Sequence, residues 1–150
     1  MTAISTYRGS VYPWQCDHIG HMNIMWYVGK FDEANWHLLA TVGLTPSYLR
    51  EKGRGMVAAQ QYITYKREVL AGDILEISST VVEVRDKALR YIHEMHDAET
   101  GVLVASCEIT AVHIDRQTRK SCPLSEEVRT AAREVLGVCP LVDGAKVSPA

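Results

Sequence analysis

The chain has 150 residues, 47% of them hydrophobic and 23% charged, with a formal net charge of −2. Those values fit one ordinary soluble globular domain able to bury a core without staples, and they leave no electrostatic footprint for nucleic acid. No signal-peptide h-region opens the chain and no apolar run is long enough to span a bilayer, so a cytoplasmic protein without membrane or nucleic-acid partners is expected.

Taken in order, Ser5 to Tyr12 reads as a short strand halted by Pro13. A polar loop follows, Trp14-Gln-Cys-Asp-His-Ile-Gly-His-Met-Asn23, and then the main helix, Ile24 to Val42. Asn23 suits the N-cap, because its side-chain oxygen can accept an orphan first-turn N–H. Ile24, Tyr27, Val28, Phe31, Asn35, Leu38, Leu39 and Val42 fall at helical spacing on one face. Gly43 and Thr45-Pro46 stop that helix, and Pro46 to Lys52 adds a further turn or two before Gly53. From Gly55 the period changes to two, and Val57 to Tyr65 alternates as a strand with both faces partly occupied. Ala71-Gly72-Asp73 is a turn, Ile74 to Arg85 a strand, and Leu89 to Asp97 the next one. Glu99-Thr100-Gly101 turns the chain into the longest strand, Val102 to Asp115. Ser125 caps a short amphipathic helix to Leu136, with Glu126 and Glu127 in its favourable first turn. Residues 1–137 form the expected domain and 138–150 a loose tail.

One apolar helix followed by an antiparallel sheet predicts an α+β layer architecture. A single helix covers one sheet face only, so self-association is the simplest supply for the remaining apolar surface and the free edge. The loop delivers Asp17 and His21 to the positive end of that helix, a place suited to chemistry on a developing oxyanion. Cys16, His18 and His21 crowd one loop without a distal pair, which argues against a metal site. His93 and His96 alternate to opposite faces of a strand and cannot share one. The four cysteines (Cys16, Cys107, Cys122, Cys139) are scattered without a Cys-x-x-Cys pair, as reduced thiols would be.

The run Asp17-x-x-Gly20-His21-Met22-Asn23, with Tyr27 and Phe31-Asp-Glu-Ala34 on the helix, resembles the 4-hydroxybenzoyl-CoA thioesterase branch of the hotdog-fold acyl-CoA thioesterases. Tyr62 to Val69 with Ala71-Gly72-Asp73, and Ala98 to Gly101 with the strand after it, resemble that family's second strand and last hairpin. The resemblance implies a curved antiparallel sheet wrapped around one helix, assembled as dimers or tetramers with active sites at subunit interfaces. It implies hydrolysis of a small or medium acyl-CoA, with CoA as part of the substrate and no separate cofactor. Asp17 matches the family's catalytic carboxylate, acting as nucleophile or general base. Ile24 matches the position whose backbone N–H polarises the thioester carbonyl, and His21 is an acid–base, orienting or purely structural imidazole. Relatives often carry a second Asn where this chain has Ile24. Acyl-carrier-protein thioesterases place an Asn two residues after the Asp, where this chain has Ile19, so that substrate is disfavoured. A non-catalytic acyl-CoA-binding or regulatory domain and a hotdog hydratase are the other readings.

Asn23, Trp26 and Tyr27 at the helix start, and Gln61 or its neighbour Gln60 reaching from a partner's second strand, are the candidate substrate contacts. Asn35 is either a buried amide or a group facing the acyl pocket, and aromatics such as Trp14 and Phe31 are core or pocket wall. Neighbouring aromatics could also take a quaternary ammonium acyl group by cation–π contact. Lys66, Arg67, Arg85, Lys87 and Arg90 are solvated rim residues available to CoA phosphates.

Overall fold

The computed structural model describes residues 3–140. Its elements in chain order are β1 (Ile4–Ser10), α1 (Ile24–Thr41), α2 (Pro46–Lys52), β2 (Arg54–Tyr65), β3 (Ile74–Val84), β4 (Ala88–Asp97), β5 (Leu103–Asp115) and α3 (Glu126–Glu134). A 3-10 turn, Pro13–Gln15, stands between β1 and α1, a short element that alternation and helical spacing did not reveal. The expected tail extends beyond the described residues from 141 onward.

Asn23 caps α1 through its side-chain oxygen, which accepts the Met25 N–H at 3.0 Å. At the other end Gly43 sits at φ +98, where a Cβ is strained, and lets Leu44 N–H return to the Leu39 carbonyl. The helix buries Tyr27, Lys30, Phe31, Ala34, Asn35, Leu38 and Leu39. Two positions depart from the helical pattern read in the sequence. Ile24 is 61% exposed, because as the first helical residue it stands beyond the packed layer. Lys30 is buried where α1 crosses β1, its Nζ donating to the Tyr7 hydroxyl at 2.7 Å and lying over the same ring. Phe31, 1% exposed, sits at the centre of this layer, and truncating such a side chain to Ala costs about 3–5 kcal/mol.

The five strands form one antiparallel sheet in the order β1-β3-β4-β5-β2, so β1 and β2 are its edges. α1 lies closest to β1 and β3. Along β2 a register shift between Ala58 and Gln60 leaves Ala59 as an extra residue opposite β5. All residues from Val57 to Tyr62 are exposed, although the alternating sequence there reads as a strand occupied on both faces. In the protomer, β2 therefore presents a bare edge and a bare flank. α3 is capped by Ser125 Oγ on the Val128 N–H and buries Val128 and Ala132.

Candidate active site

The loop between β1 and α1 is closed on itself and anchored from two sides. Asp17 N–H donates to the His21 carbonyl at 3.0 Å, and Gly20 N–H donates back to the Asp17 carbonyl at 3.0 Å. Gly20 has φ +97, the left-handed region in which glycine is at ease. Met22 N–H reaches the Val69 carbonyl at 2.8 Å, and Asn23 N–H the Gln15 carbonyl at 2.8 Å. The loop is thus fixed to the segment after β2 and closed onto the 3-10 turn at its own start.

Within it, Asp17 Oδ1 accepts the Ile19 N–H at 3.0 Å and Oδ2 accepts Asn23 Nδ2 at 3.2 Å. Asn23 acts through both ends of its amide, capping α1 with oxygen and holding Asp17 with nitrogen. The Ile19 N–H above all, with the Asn23 amide and the His18 and His21 imidazoles, holds the Asp17 carboxyl below its ordinary range against a smaller opposing desolvation. The group is an anion at neutral pH, partly exposed, with lone pairs left on both oxygens. Ile24 is the first residue of α1, so its N–H has no intrahelical acceptor. Among the described residues no backbone or side-chain acceptor is paired with it. One carboxylate and one free helix N–H therefore border the same short loop.

The other sequence-derived positions divide. His21 Nε2 stands 3.0 Å from Glu68 Oε2, so its imidazole engages the segment after β2 rather than Asp17. Tyr27 is buried at 5%, its hydroxyl donates to the Arg67 carbonyl at 3.1 Å, and its ring meets Tyr65 edge-on at 5.2 Å. Burial pushes that phenol up to about 12. Trp26 is partly buried against the core. Gln61 is exposed on β2, opposite Ile109, and faces none of the loop residues within its own protomer's contacts. Asn35 is the buried amide, its Oδ1 2.7 Å from His93 Nε2. Trp14 is not core: it is 68% exposed and stacks on Tyr12 at 4.5 Å and 7°. With Ile19 at 68%, Ile24 at 61% and Met25 at 64%, it leaves an apolar rim around the carboxylate. Glu68 and Tyr65 were not singled out for the site in the sequence, since only the tertiary fold carries the end of β2 to the start of α1. Among the described residues no three His, Cys, Asp or Glu side chains could hold a metal ion together. Cys16, Cys107, Cys122 and Cys139 are free thiols. A groove of about 770 Å³ lies at the far end of α1, between Val42, Tyr48 and Val128, away from Asp17.

Residues 11–132 match the model of a family described as the thioesterase-like superfamily. The chain is 25% identical over 119 residues to an L-carnitine dehydrogenase/betainyl-CoA thioesterase of Rhizobium meliloti, covering 79% of this chain and 24% of that protein. It spans about a quarter of the length of the curated relatives it matches. Among solved structures, a hypothetical protein from Staphylococcus aureus in complex with CoA superposes with TM-score 0.86 at 18% identity, over 99% of this chain and 97% of the other. A 1,4-dihydroxy-2-naphthoyl-CoA thioesterase from Synechocystis gives 0.77 at 21%, over 88% and 96%. These likenesses establish the hotdog fold expected from the sequence, one antiparallel sheet packed on a long helix. With the family model matched over well more than half of its length, the chain belongs to the thioesterase-like superfamily.

Proposed function

We propose that the protein is an acyl-CoA thioesterase, hydrolysing a small or medium acyl-CoA to free acid and CoA in the manner of the 4-hydroxybenzoyl-CoA thioesterase branch. The observation that carries this reading is the pairing of a held, ionised Asp17 with the free Ile24 N–H at a helix start. Hydrolysis of a thioester needs an oxygen to attack the carbonyl and donors for the charge that grows on its oxygen. The Ile24 N–H and the α1 dipole supply the second. Asp17 supplies the first, either by attacking to give a mixed anhydride that water then cleaves, or by taking a proton from the attacking water. Asn23 orients Asp17, and Trp26 stands beside the acyl path. Tyr27 acts as a wall rather than a hydrogen-bond donor, because its hydroxyl is already engaged. His21 positions the loop through Glu68.

The bare edge of β2 and its exposed Val57, Tyr62 and Tyr65 support a homodimer formed by pairing β2 with its copy, which would place Gln61 near the two-fold axis. A stable 16.8 kDa particle in light scattering at micromolar concentration would overturn that assembly. The exposed Tyr12–Trp14 pair adds a second reading of the substrate. A quaternary ammonium acyl group, such as the betainyl group in the relative's name, could rest on that aromatic face.

The test is thiol release over a panel of acyl-CoA esters, with Asp17→Asn as the control. That change keeps the size of the side chain while removing nucleophile and base. We expect kcat to fall at least ~10²-fold with CoA binding and melting temperature nearly unchanged. A folded variant within a few-fold of wild type would remove Asp17 from the reaction. Wild-type CoA binding without turnover on any ester would favour an acyl-CoA-binding domain.

A further inference from the structure

The groove at the carboxy end of α1 is built by one protomer alone and stands apart from the Asp17 loop. α1 runs 18 residues from Ile24 to Thr41, and at about 1.5 Å per residue its far end lies roughly 25 Å from the Ile24 N–H. A small or medium acyl chain held at Asp17 does not reach it. The volume of about 770 Å³ is that of a site for a small molecule.

Three elements set its shape. α1 ends in the left-handed Gly43, and a Cβ there would meet Val128 Cγ2 at 3.6 Å, so the helix end abuts α3 directly. Val42 and Val128 line the groove and are 1% and 3% exposed, which makes an apolar floor continuous with the core. α2 adds Tyr48, whose ring is braced on the buried His113 at 6.4 Å and 29°. The walls are therefore held by the core and by a ring stack.

The charged lining is asymmetric. Lys52 and Arg54 stand in the wall formed by the end of α2 and the start of β2, and Glu127 stands in the α3 wall. Lys52 and Glu127 form no ion pair among the described residues. Arg54 spends only Nη1, on Asp115 Oδ2 at 2.9 Å, and its other nitrogens meet no acceptor among the described residues. The helix dipoles do not decide the field, because the negative end of α1 and the positive end of α3 border the same groove and oppose one another. The side chains decide it. An anionic head is drawn to Lys52 and Arg54 and turned away from α3, and an apolar chain is left over Val42 and Val128.

We propose that this groove is a second ligand site, which takes an alkyl carboxylate with its head on Lys52 and Arg54 and its chain along Val42 and Val128. Hydrolysis of an acyl-CoA ester releases such an acid. Identifying the ligand with the product rests on the acyl-CoA reading above, whereas the site itself stands on the shape and charge of the groove.

Octanoate, octanol and octyltrimethylammonium separate head from chain in residue-resolved NMR titrations of the full chain. Octanoate should shift the amide signals of Thr41, Gly43, Tyr48 and Val128 saturably, and should bind more tightly than the other two. Lys52→Gln removes an exposed cation and should raise the octanoate Kd about tenfold, the size of one lost charge-assisted hydrogen bond. Wild-type affinity should also weaken as salt is raised. Thr41 lines the groove from an exposed position, and its hydroxyl bonds only its own helix, at the His37 carbonyl. Thr41→Trp therefore narrows the groove without entering the core, and should raise the octanoate Kd by at least as much. Octanol or the ammonium binding as tightly as octanoate would overturn the carboxylate head, as would an octanoate Kd unchanged in Lys52→Gln. A Kd unchanged in Thr41→Trp, or shifts confined to Asp17 through Ile24, would overturn the groove as a site. No thioester enters these titrations. If wild-type protein turned over no ester, the acyl-CoA thioesterase reading would fail separately, and the octanoate titrations would still decide for or against the groove.

Discussion

Two constellations of polar side chains stand at different depths of this molecule. In the core, Ser79 Oγ lies 2.5 Å from His93 Nδ1, His93 Nε2 lies 2.7 Å from Asn35 Oδ1, and Thr6 Oγ1 lies 2.7 Å from Ser79. At the surface, Asp17 holds two hydrogen bonds of 3.0 and 3.2 Å beside a helix N–H without a partner. The buried set has the better-looking hydroxyl–imidazole–amide line, yet His93 and Ser79 are 0% exposed and Phe31 stacks on the imidazole at 5.9 Å. Desolvation lowers His93 to about 3, so the ring stays neutral and no acyl group reaches it. Its hydrogen bonds satisfy one another. The Asp17 loop has weaker internal geometry but keeps a charged oxygen and a free donor facing solvent, and that unsaturated valence is what a substrate can use.

The comparison breaks most readily at Ile24. Proline is tolerated at the first helical position, where the missing N–H has no helical acceptor. Asn23, at φ −69 and ψ 148, already has the extended backbone that precedes a proline. Ile24→Pro therefore deletes the proposed oxyanion donor with little strain. We expect kcat to fall ~10²–10³-fold while the melting temperature moves little. Turnover within a few-fold of wild type, in a folded variant, would show that another N–H carries the oxyanion.

The buried set should answer in stability instead. His93→Leu fills a similar volume but leaves the Asn35 amide oxygen without its partner and Ser79 with Thr6 alone, and should cost about 3 kcal/mol in denaturant unfolding. Activity per folded molecule should stay within a few-fold. The pH dependence gives a second reading. The folded-state value of His93 lies near 3 and the unfolded value near 6.5, so between them the unfolded chain binds the extra proton. The stability that the neutral ring contributes is complete above pH 6.5 and is lost progressively as pH falls toward 3, on the order of 5 kcal/mol in total. The variant lacks this dependence, so the two unfolding curves should converge by about pH 4. A gap that stays constant from pH 7 to 4 would mean that His93 is not buried neutral.

The sequence carried the elements further than it carried their relations. α1, α2 and the four later strands were legible because Asn23, Gly43, Pro46, Gly53 and the period-two runs act locally, and α2 spans the residues expected, Pro46–Lys52. Burial was less legible: Lys30 reads as a surface lysine until β1 places Tyr7 against it, and Ile24 reads as core until its position at the helix start exposes it. The loop could be found from Asp17, Gly20, His21 and Asn23 alone. The Glu68 contact of His21 and the stacking of Tyr12 on Trp14 depend on how the end of β2 and the 3-10 turn meet the loop, for which no short-range pattern exists.

The smallest expected effect concerns the one residue that belongs to both the fold and the chemistry. Asn23 caps α1 with its oxygen and holds Asp17 with its nitrogen, and these two roles can be separated. Asn and Asp are equally good N-caps, and a carboxylate near a helix start also meets a favourable dipole. Asn23→Asp should therefore leave the melting temperature nearly unchanged. It removes the donor from Asp17 Oδ2, however, and sets a like charge beside it, and both changes disfavour the ionised Asp17. In the wild type Asp17 titrates below its ordinary range, so the acid limb of kcat/KM should lie below the usual carboxylate range. In the variant that limb should move upward by about one pH unit, with only a few-fold loss at pH 7 where Asp17 is still ionised. A purely structural Asn23 would leave the pH profile where it is and show its effect in thermal stability alone. A limb that moves at constant stability assigns the amide nitrogen to Asp17, and through it assigns the ionised carboxylate to the reaction.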